Sequence, residues 1–102
     1  MHESVVTLQE LIDDDRSISR AMNAQLEHAA AQGVTLLNTV YLEEQVRMRT
    51  KRSDLLDGLI EEYAEADRLG DSAASACKLV MIQLAAARII ETRNAHAGNG
   101  LE

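Results

Sequence analysis

The chain has 102 residues, enough for one domain, and its 46% hydrophobic content argues against disorder along the whole length. It contains no Pro, Phe or Trp, so the core must be aliphatic, which favours helices over a β-sandwich. Ten Lys and Arg against seventeen Asp and Glu give a net charge of −7, which disfavours non-specific binding of the whole molecule to nucleic acid.

The sequence contains no recognisable targeting signal. A single cysteine, Cys77, excludes an intramolecular disulfide and fits a reducing compartment. Because we find neither a signal-peptide pattern nor a run of about 18 apolar residues, we expect a cytoplasmic protein without a membrane partner. We expect one helical domain over residues 1–96 and a flexible Gly-rich tail over 97–102, whose last two residues resemble a cloning remnant.

The first predicted helix begins at about Leu8. Thr7 and Glu10 have the spacing of a capping box, in which each side chain accepts a hydrogen bond from a free backbone amide. Apolar residues then recur at helical spacing, namely Leu8, Leu11, Ile12, Ile18, Met22, Leu26 and Ala29. Gly33 suits the left-handed position that ends a helix, so the pattern predicts a hairpin turn at Gly33–Thr35 that brings Leu26 near Tyr41.

The second predicted helix follows Thr35 and ends at Gly70. Its apolar face comprises Leu37, Tyr41, Met48, Leu55, Leu59, Tyr63 and Ala66. This face thins between residues 44 and 53, which leaves open whether the helix is continuous there.

The third predicted helix is capped by Asp71 or Ser72 and runs to about Asn94. Between Cys77 and Ile90 it is apolar over most of its circumference, so it is either central to a bundle or shared with a second chain. The fold class that follows is all-α, a three-helix up-down-up bundle with long helices. We expect it to dimerise through helix 3, with the interface formed by Val80, Leu84 and Ala87.

A cluster of bases interrupts this acidic chain in the segment VRMRTKRSD, which contains Arg47, Arg49, Lys51 and Arg52. In the predicted hairpin, Asp15 lies opposite the residue that follows Arg52. Asp15 also lies within the apolar face of helix 1, where an unpaired carboxylate is unfavourable. We therefore predict a structural ion pair between Asp15 and Arg52.

Two other arginines, Arg49 and Arg88, are the alternative partners for Asp15. The basic cluster also has a functional interpretation, as a binding surface for an acidic protein or nucleic acid. The partner-binding candidates are Arg47, Arg49, Lys51 and Arg52, together with the two tyrosines, Tyr41 and Tyr63. Against this interpretation, the four bases do not share one helix face, and no aromatic residue lies between them to stack on bases.

No catalytic, cofactor or metal site is expected. The histidines lack ligand spacing, and the carboxylates of helix 2, Asp57, Glu61, Glu62, Glu65 and Asp67, are expected to form a solvated face. Cys77 is expected to be a small buried hydrophobe, and Met22, Met48 and Met81 are expected to fill the core.

The function we favour is that of a non-enzymatic, small, acidic, helical interaction protein: an adaptor, chaperone or regulator that binds itself and an unidentified protein. One alternative is a nucleic-acid-associated regulator that uses the run Arg47–Arg52. The other is a helical-bundle enzyme with an arginine-lined pocket between chains, in which Arg52 and Arg88 hold an anion.

Overall fold

The computed structural model describes the backbone of residues 2–34 and 38–100, and the side chains as far as residue 95. Three helices form it: α1 spans Glu3–Ala31, α2 spans Thr39–Arg68 and α3 spans Ser72–Gly100. Each helix packs against both of the others. The predicted all-α fold, with long helices running up, down and up, is confirmed.

The first helix begins earlier than its sequence suggests. Its cap is His2, whose Nδ1 atom accepts a hydrogen bond from the backbone amide of Ser4 at 3.1 Å. Thr7 lies inside the helix, so the predicted capping box and the start at Leu8 are wrong. The physical reason is Val5, which is fully buried one turn before Leu8 and is brought into the core by the longer helix.

Glycines end the first two helices as predicted. Gly33 has φ +67° and Gly70 has φ +72°, in the left-handed region. After each glycine the next amide donates back to the helix, from Val34 to Ala29 and from Asp71 to Ala66. Helix α1 therefore stops well before residue 40, and the hairpin is confirmed, whereas residues 35–37 of the predicted turn lie outside the described residues.

The N-cap of α3 is Asp71, whose Oδ1 atom accepts a hydrogen bond from the backbone amide of Ala74 at 3.1 Å. Asp71 is one of the two capping residues that the sequence predicts.

Helix α2 is continuous through residues 44–53, which settles the question that its sequence leaves open. Helix α3 passes its predicted end at Asn94 and reaches Gly100. The flexibility of residues 97–102 stays a prediction.

The core lies mainly between α1 and α3. It contains the buried residues Val5, Leu8, Leu11, Ile12, Ile82, Ala86 and Ile89, against which Leu56, Leu59, Ile60 and Tyr63 of α2 pack partly buried. Near the hairpin turn, Ala29 and Leu42 are buried, whereas the adjacent Tyr41 is exposed. Ile18 is also exposed, contrary to its place in the predicted apolar face of helix 1. A contact between Leu26 and Tyr41 stays a prediction.

Helix α3 has more apolar surface than its two neighbours cover. Its inner side is buried through Ile82, Ala86 and Ile89, but Val80 and Leu84 are 52% and 66% exposed and Ala87 is exposed too.

The expected burial of three other side chains is wrong for the same reason. Cys77 is exposed, and so are Met48 of α2 and Met81 of α3. Met48 borders a groove between the helices, and Cys77 and Met81 are left uncovered by the described neighbouring helices.

Within the described residues, one helix is long and apolar enough to cross a membrane by length and composition. It is Ser72–Ala95, with a mean hydropathy of 1.5 and 11% of the span buried. Lys78 and Arg88 interrupt its apolar sequence, and the absence of a membrane partner stays a prediction.

Candidate functional site

The most unusual buried group is the carboxylate of Asp15, which is 1% exposed. Helix α2 supplies Arg52, which donates to one carboxylate oxygen, and Arg49, whose Nη1 atom lies 2.8 Å from the other. Arg93 of α3 approaches the same carboxylate at 3.5 Å. The Asp15–Arg52 ion pair that the sequence predicts is thus present, within a cluster that draws on all three helices.

The hairpin register explains the two arginines of α2. Ser53 is fully buried opposite Asp15, and Arg52 and Arg49 lie one turn apart on the side of α2 next to it. Sequence reasoning missed Arg93 and named Arg88 instead. Arg88 precedes Arg93 by more than one helical turn, and it is Arg93 that reaches Asp14, at 3.3 Å, and Asp15. A better estimate of how α1 and α3 align would have found it.

The four bases of the run have different surroundings. Arg49 and Arg52 point inward to Asp15, and Arg47 pairs with Glu44 one turn earlier at 2.5 Å, an ion pair that lowers the pKa of Glu44. Lys51 is exposed and makes no ion pair with any described side chain. The run is therefore divided between internal pairing and solvent, and it does not form one continuous basic surface.

A groove of about 1020 Å³ runs beside the Asp15 cluster. Its lining residues are Asp14, Asp15, Ser17, Ile18, Tyr41, Gln45, Met48, Arg49, Arg52, Ile89, Thr92 and Arg93. A smaller cavity of about 260 Å³ adjoins it, lined by Arg52, Leu56, Ala85, Arg88, Ile89 and Thr92. Arg52 and Arg88 thus share a cavity within one chain.

Among the described residues, three buried polar atoms near Asp15 have no hydrogen-bond partner: Ser19 Oγ, Arg49 Nε and Ser53 Oγ. Together with Asp15 they form a polar layer between α1 and α2. Each buried polar atom left without a partner costs about 1–3 kcal/mol. Such a layer contributes less to stability than apolar packing but disfavours other registers, because sliding α2 by one turn would leave Asp15 with only one of its two α2 arginines.

The acidic face of α2 is mostly exposed, as the sequence predicts, and three of its carboxylates also form ion pairs. Asp57 accepts a hydrogen bond from Arg16 of α1 at 2.8 Å, which raises the pKa of Arg16. Glu62 lies 2.6 Å from Lys78 of α3 and raises the pKa of that lysine. Glu65 pairs with Arg68. The first two ion pairs join α2 to α1 and to α3, whereas the third lies within α2.

Of the two tyrosines named as partner-binding candidates, only Tyr41 is exposed, whereas Tyr63 packs against the core. Among the residues that the structure describes, no group of three or more His, Cys, Asp or Glu side chains has the geometry to hold a metal ion.

A second surface is formed by exposed apolar side chains of α2 and α3. We call it the outer face and define it by Met48 and Leu55 of α2 and by Val80, Leu84 and Ala87 of α3.

Comparisons with known proteins identify no relative of this chain. The chain matches no protein-family model, and searches of curated proteins and of solved structures return no match.

Proposed function

We propose that the chain is a non-enzymatic helical interaction protein that docks through its outer face. The observation that carries the proposal is the exposure of Val80 and Leu84, on the side of α3 opposite the buried Ile82. The outward residues Ala73, Cys77, Val80, Leu84 and Ala87 alternate in steps of four and three. That spacing is typical of a helix that packs along a second helix.

The energetic argument concerns how much surface such docking must bury. Full burial of a Val or Leu side chain contributes about 1.5–3 kcal/mol. Association costs an estimated 4–15 kcal/mol or more in lost motion, so Val80 and Leu84 alone would give weak binding. Met48 and Leu55 of α2 extend the apolar surface beside α3, and a partner that covers both helices buries enough to bind stably.

The nucleic-acid alternative receives less support. Phosphates would have to compete with Asp15 for Arg49 and Arg52 and with Glu44 for Arg47, which leaves Lys51 as the base of the run that is free of such pairing.

The enzyme alternative has one observation in its favour, the cavity that Arg52 and Arg88 share. Those two guanidinium groups are suited to one carboxylate or phosphate group. The pocket lies within a single chain rather than between chains, so an anion-binding assay on Arg88→Ala tests this alternative separately.

The proposal is tested by light scattering of the purified chain at about 100 μM, well above a micromolar dissociation constant. We expect an assembly larger than the monomer, and we expect Leu84→Glu to return it to a monomer because the new charge would be buried. Val40→Glu is the matched control, since Val40 is 80% exposed at the start of α2 and is not part of the outer face.

Two outcomes would contradict the proposal. One is a monomer at that concentration. The other is a chain that co-floats with neutral lipid vesicles and loses this property in Leu84→Glu, because the outer face would then be a membrane-binding surface.

A further inference from the structure

We infer that the occupant of the outer face is a second copy of the chain, packed so that α2 runs antiparallel to α2 of the second copy and the two helices cross at Leu55. This inference rests on the proposed function and specifies its partner. It stands on three features of α2: a line of mostly exposed apolar residues, a separation of charge along the helix, and an interior glycine.

The exposed line recurs at every seventh residue and consists of Tyr41, Met48, Leu55, Glu62 and Leu69. Its four apolar members are between 53% and 67% exposed. The line is about 42 Å long at the rise of an α-helix. A strict seven-residue repeat drifts by about 20° per heptad, which two helices accommodate by coiling around each other with a left-handed twist.

The line is symmetric about its centre. When two copies of α2 run antiparallel and cross at Leu55, the two Leu55 side chains meet, and Tyr41 of each copy meets Leu69 of the other. Met48 then lies against the aliphatic part of Glu62, whose carboxylate already reaches sideways to Lys78. Both ends of the line thus place an apolar side chain on an apolar side chain, as a two-fold interface requires.

The charges beside the line select the antiparallel direction. The bases Arg47 and Lys51 precede Leu55, and the acids Glu62 and Glu65 follow it. Arg47, Glu62 and Glu65 each have an ion pair within the chain, whereas Lys51 has none with a described side chain, so the preference for this direction depends mainly on Lys51. The antiparallel arrangement brings the basic half of each helix next to the acidic half of the other. A parallel arrangement would place Lys51 next to Lys51, which is unfavourable.

Gly58 supplies the third observation. It lies in the interior of α2, where glycine is destabilising by about 1 kcal/mol relative to alanine. Nothing within the chain requires it, because a Cβ atom added there would meet no atom within 4 Å. Gly58 lies one turn after Leu55 and next to the crossing point, where the missing side chain allows two helices to approach closely.

The same two-fold axis serves α3. The Glu62–Lys78 ion pair fixes the level of α3 relative to α2, and that level places Leu55 beside Ala85. Rotation about an axis at that height brings Leu84 of one copy next to Ala87 of the other.

The inference is tested by a disulfide between two copies of the chain that only the antiparallel two-fold arrangement allows. In a Cys77→Ala background, Leu55→Cys should form a crosslinked dimer within minutes of mild oxidation, because the two sulfur atoms meet at the axis. Val40→Cys in the same background should remain largely uncrosslinked, because the antiparallel arrangement separates its two copies by most of the length of α2. Both positions are exposed, so neither change should prevent folding.

A second measurement tests the charge argument. Lys51→Glu should weaken dimerisation at least tenfold in low salt, and Lys51→Glu with Glu62→Lys should bind more tightly than Lys51→Glu alone. A light-scattering dimer in which Leu55→Cys fails to crosslink would overturn the inference and leave the proposed function standing. A chain that is monomeric in every assay would overturn both.

Discussion

Asp15 is a charged side chain in a position that the rest of α1 fills with apolar residues. Three arginines approach its carboxylate, so removing the carboxylate strands positive charge at the junction of the helices. We expect Asp15→Ala to lower the free energy of unfolding by about 1–4 kcal/mol. Denaturant melts of the two proteins measure this difference.

The control for Asp15→Ala distinguishes the loss of the ion pairs of Asp15 from the effect of leaving its arginines without a counter-charge. Asp15→Leu with Arg52→Leu should recover part of the loss, and the further change Arg49→Leu should recover more, because Arg49 is the more buried of the two arginines. If Asp15→Ala is as stable as the original chain, the cluster has no structural role and the arginines must be regarded as a binding site.

Asp71 makes a smaller and separable contribution. Its Oδ1 atom accepts the Ala74 amide at the start of α3, so Asp71→Ala should destabilise the fold by about 1 kcal/mol. For a domain of this size that is a fall of roughly 4–8 °C in the melting temperature. Ser72→Ala is the matched control and should be nearly neutral, because Ser72 is the first residue of the helix and does not cap it.

At the scale of elements, two glycines have opposite roles. Gly33 ends α1 with a positive φ, so Gly33→Ala should destabilise the chain by about 1–2 kcal/mol. Gly58 is helical and has free space around it, so Gly58→Ala should stabilise a monomer by up to about 1 kcal/mol. Thermal melts in the monomeric Leu84→Glu background measure both, and equal signs would contradict the assignment.

Helix ends were predictable where one residue type is required by backbone geometry. Gly33 and Gly70 mark turns because few other residues adopt positive φ. The start of α1 was not predictable in the same way, because several polar residues near the N-terminus can accept an amide hydrogen bond. The burial of Val5 decided between Thr7 and His2, and burial depends on packing against α3.

The candidate site, too, was predictable only in part. The position of Asp15 on the apolar face of α1 was enough to predict an arginine partner from the opposite helix of a hairpin, since that register follows from the short turn. Arg93 depends on the alignment of α1 with α3, which no turn joins directly. The exposure of Cys77 escaped prediction because periodicity shows that α3 is apolar but not which side its neighbours cover.

At the scale of the whole molecule, exposed apolar side chains of α2 and α3 leave the outer face uncovered within one chain. If a second copy covers that face, folding and association are coupled by mass action. The melting temperature should therefore rise with protein concentration, and the rise should vanish in Leu84→Glu. Calorimetry over a hundredfold range of concentration measures this, and a constant melting temperature for the unmodified chain would contradict it.

The dimensions of the molecule have a consequence for its hydrodynamics. The chain measures 55 × 34 × 18 Å and has a radius of gyration of 17.1 Å. A compact chain of 100 residues has a radius of gyration of about 13 Å. A flat plate diffuses more slowly than a sphere of equal mass, so even the monomer will leave a gel-filtration column early and resemble a heavier globular standard.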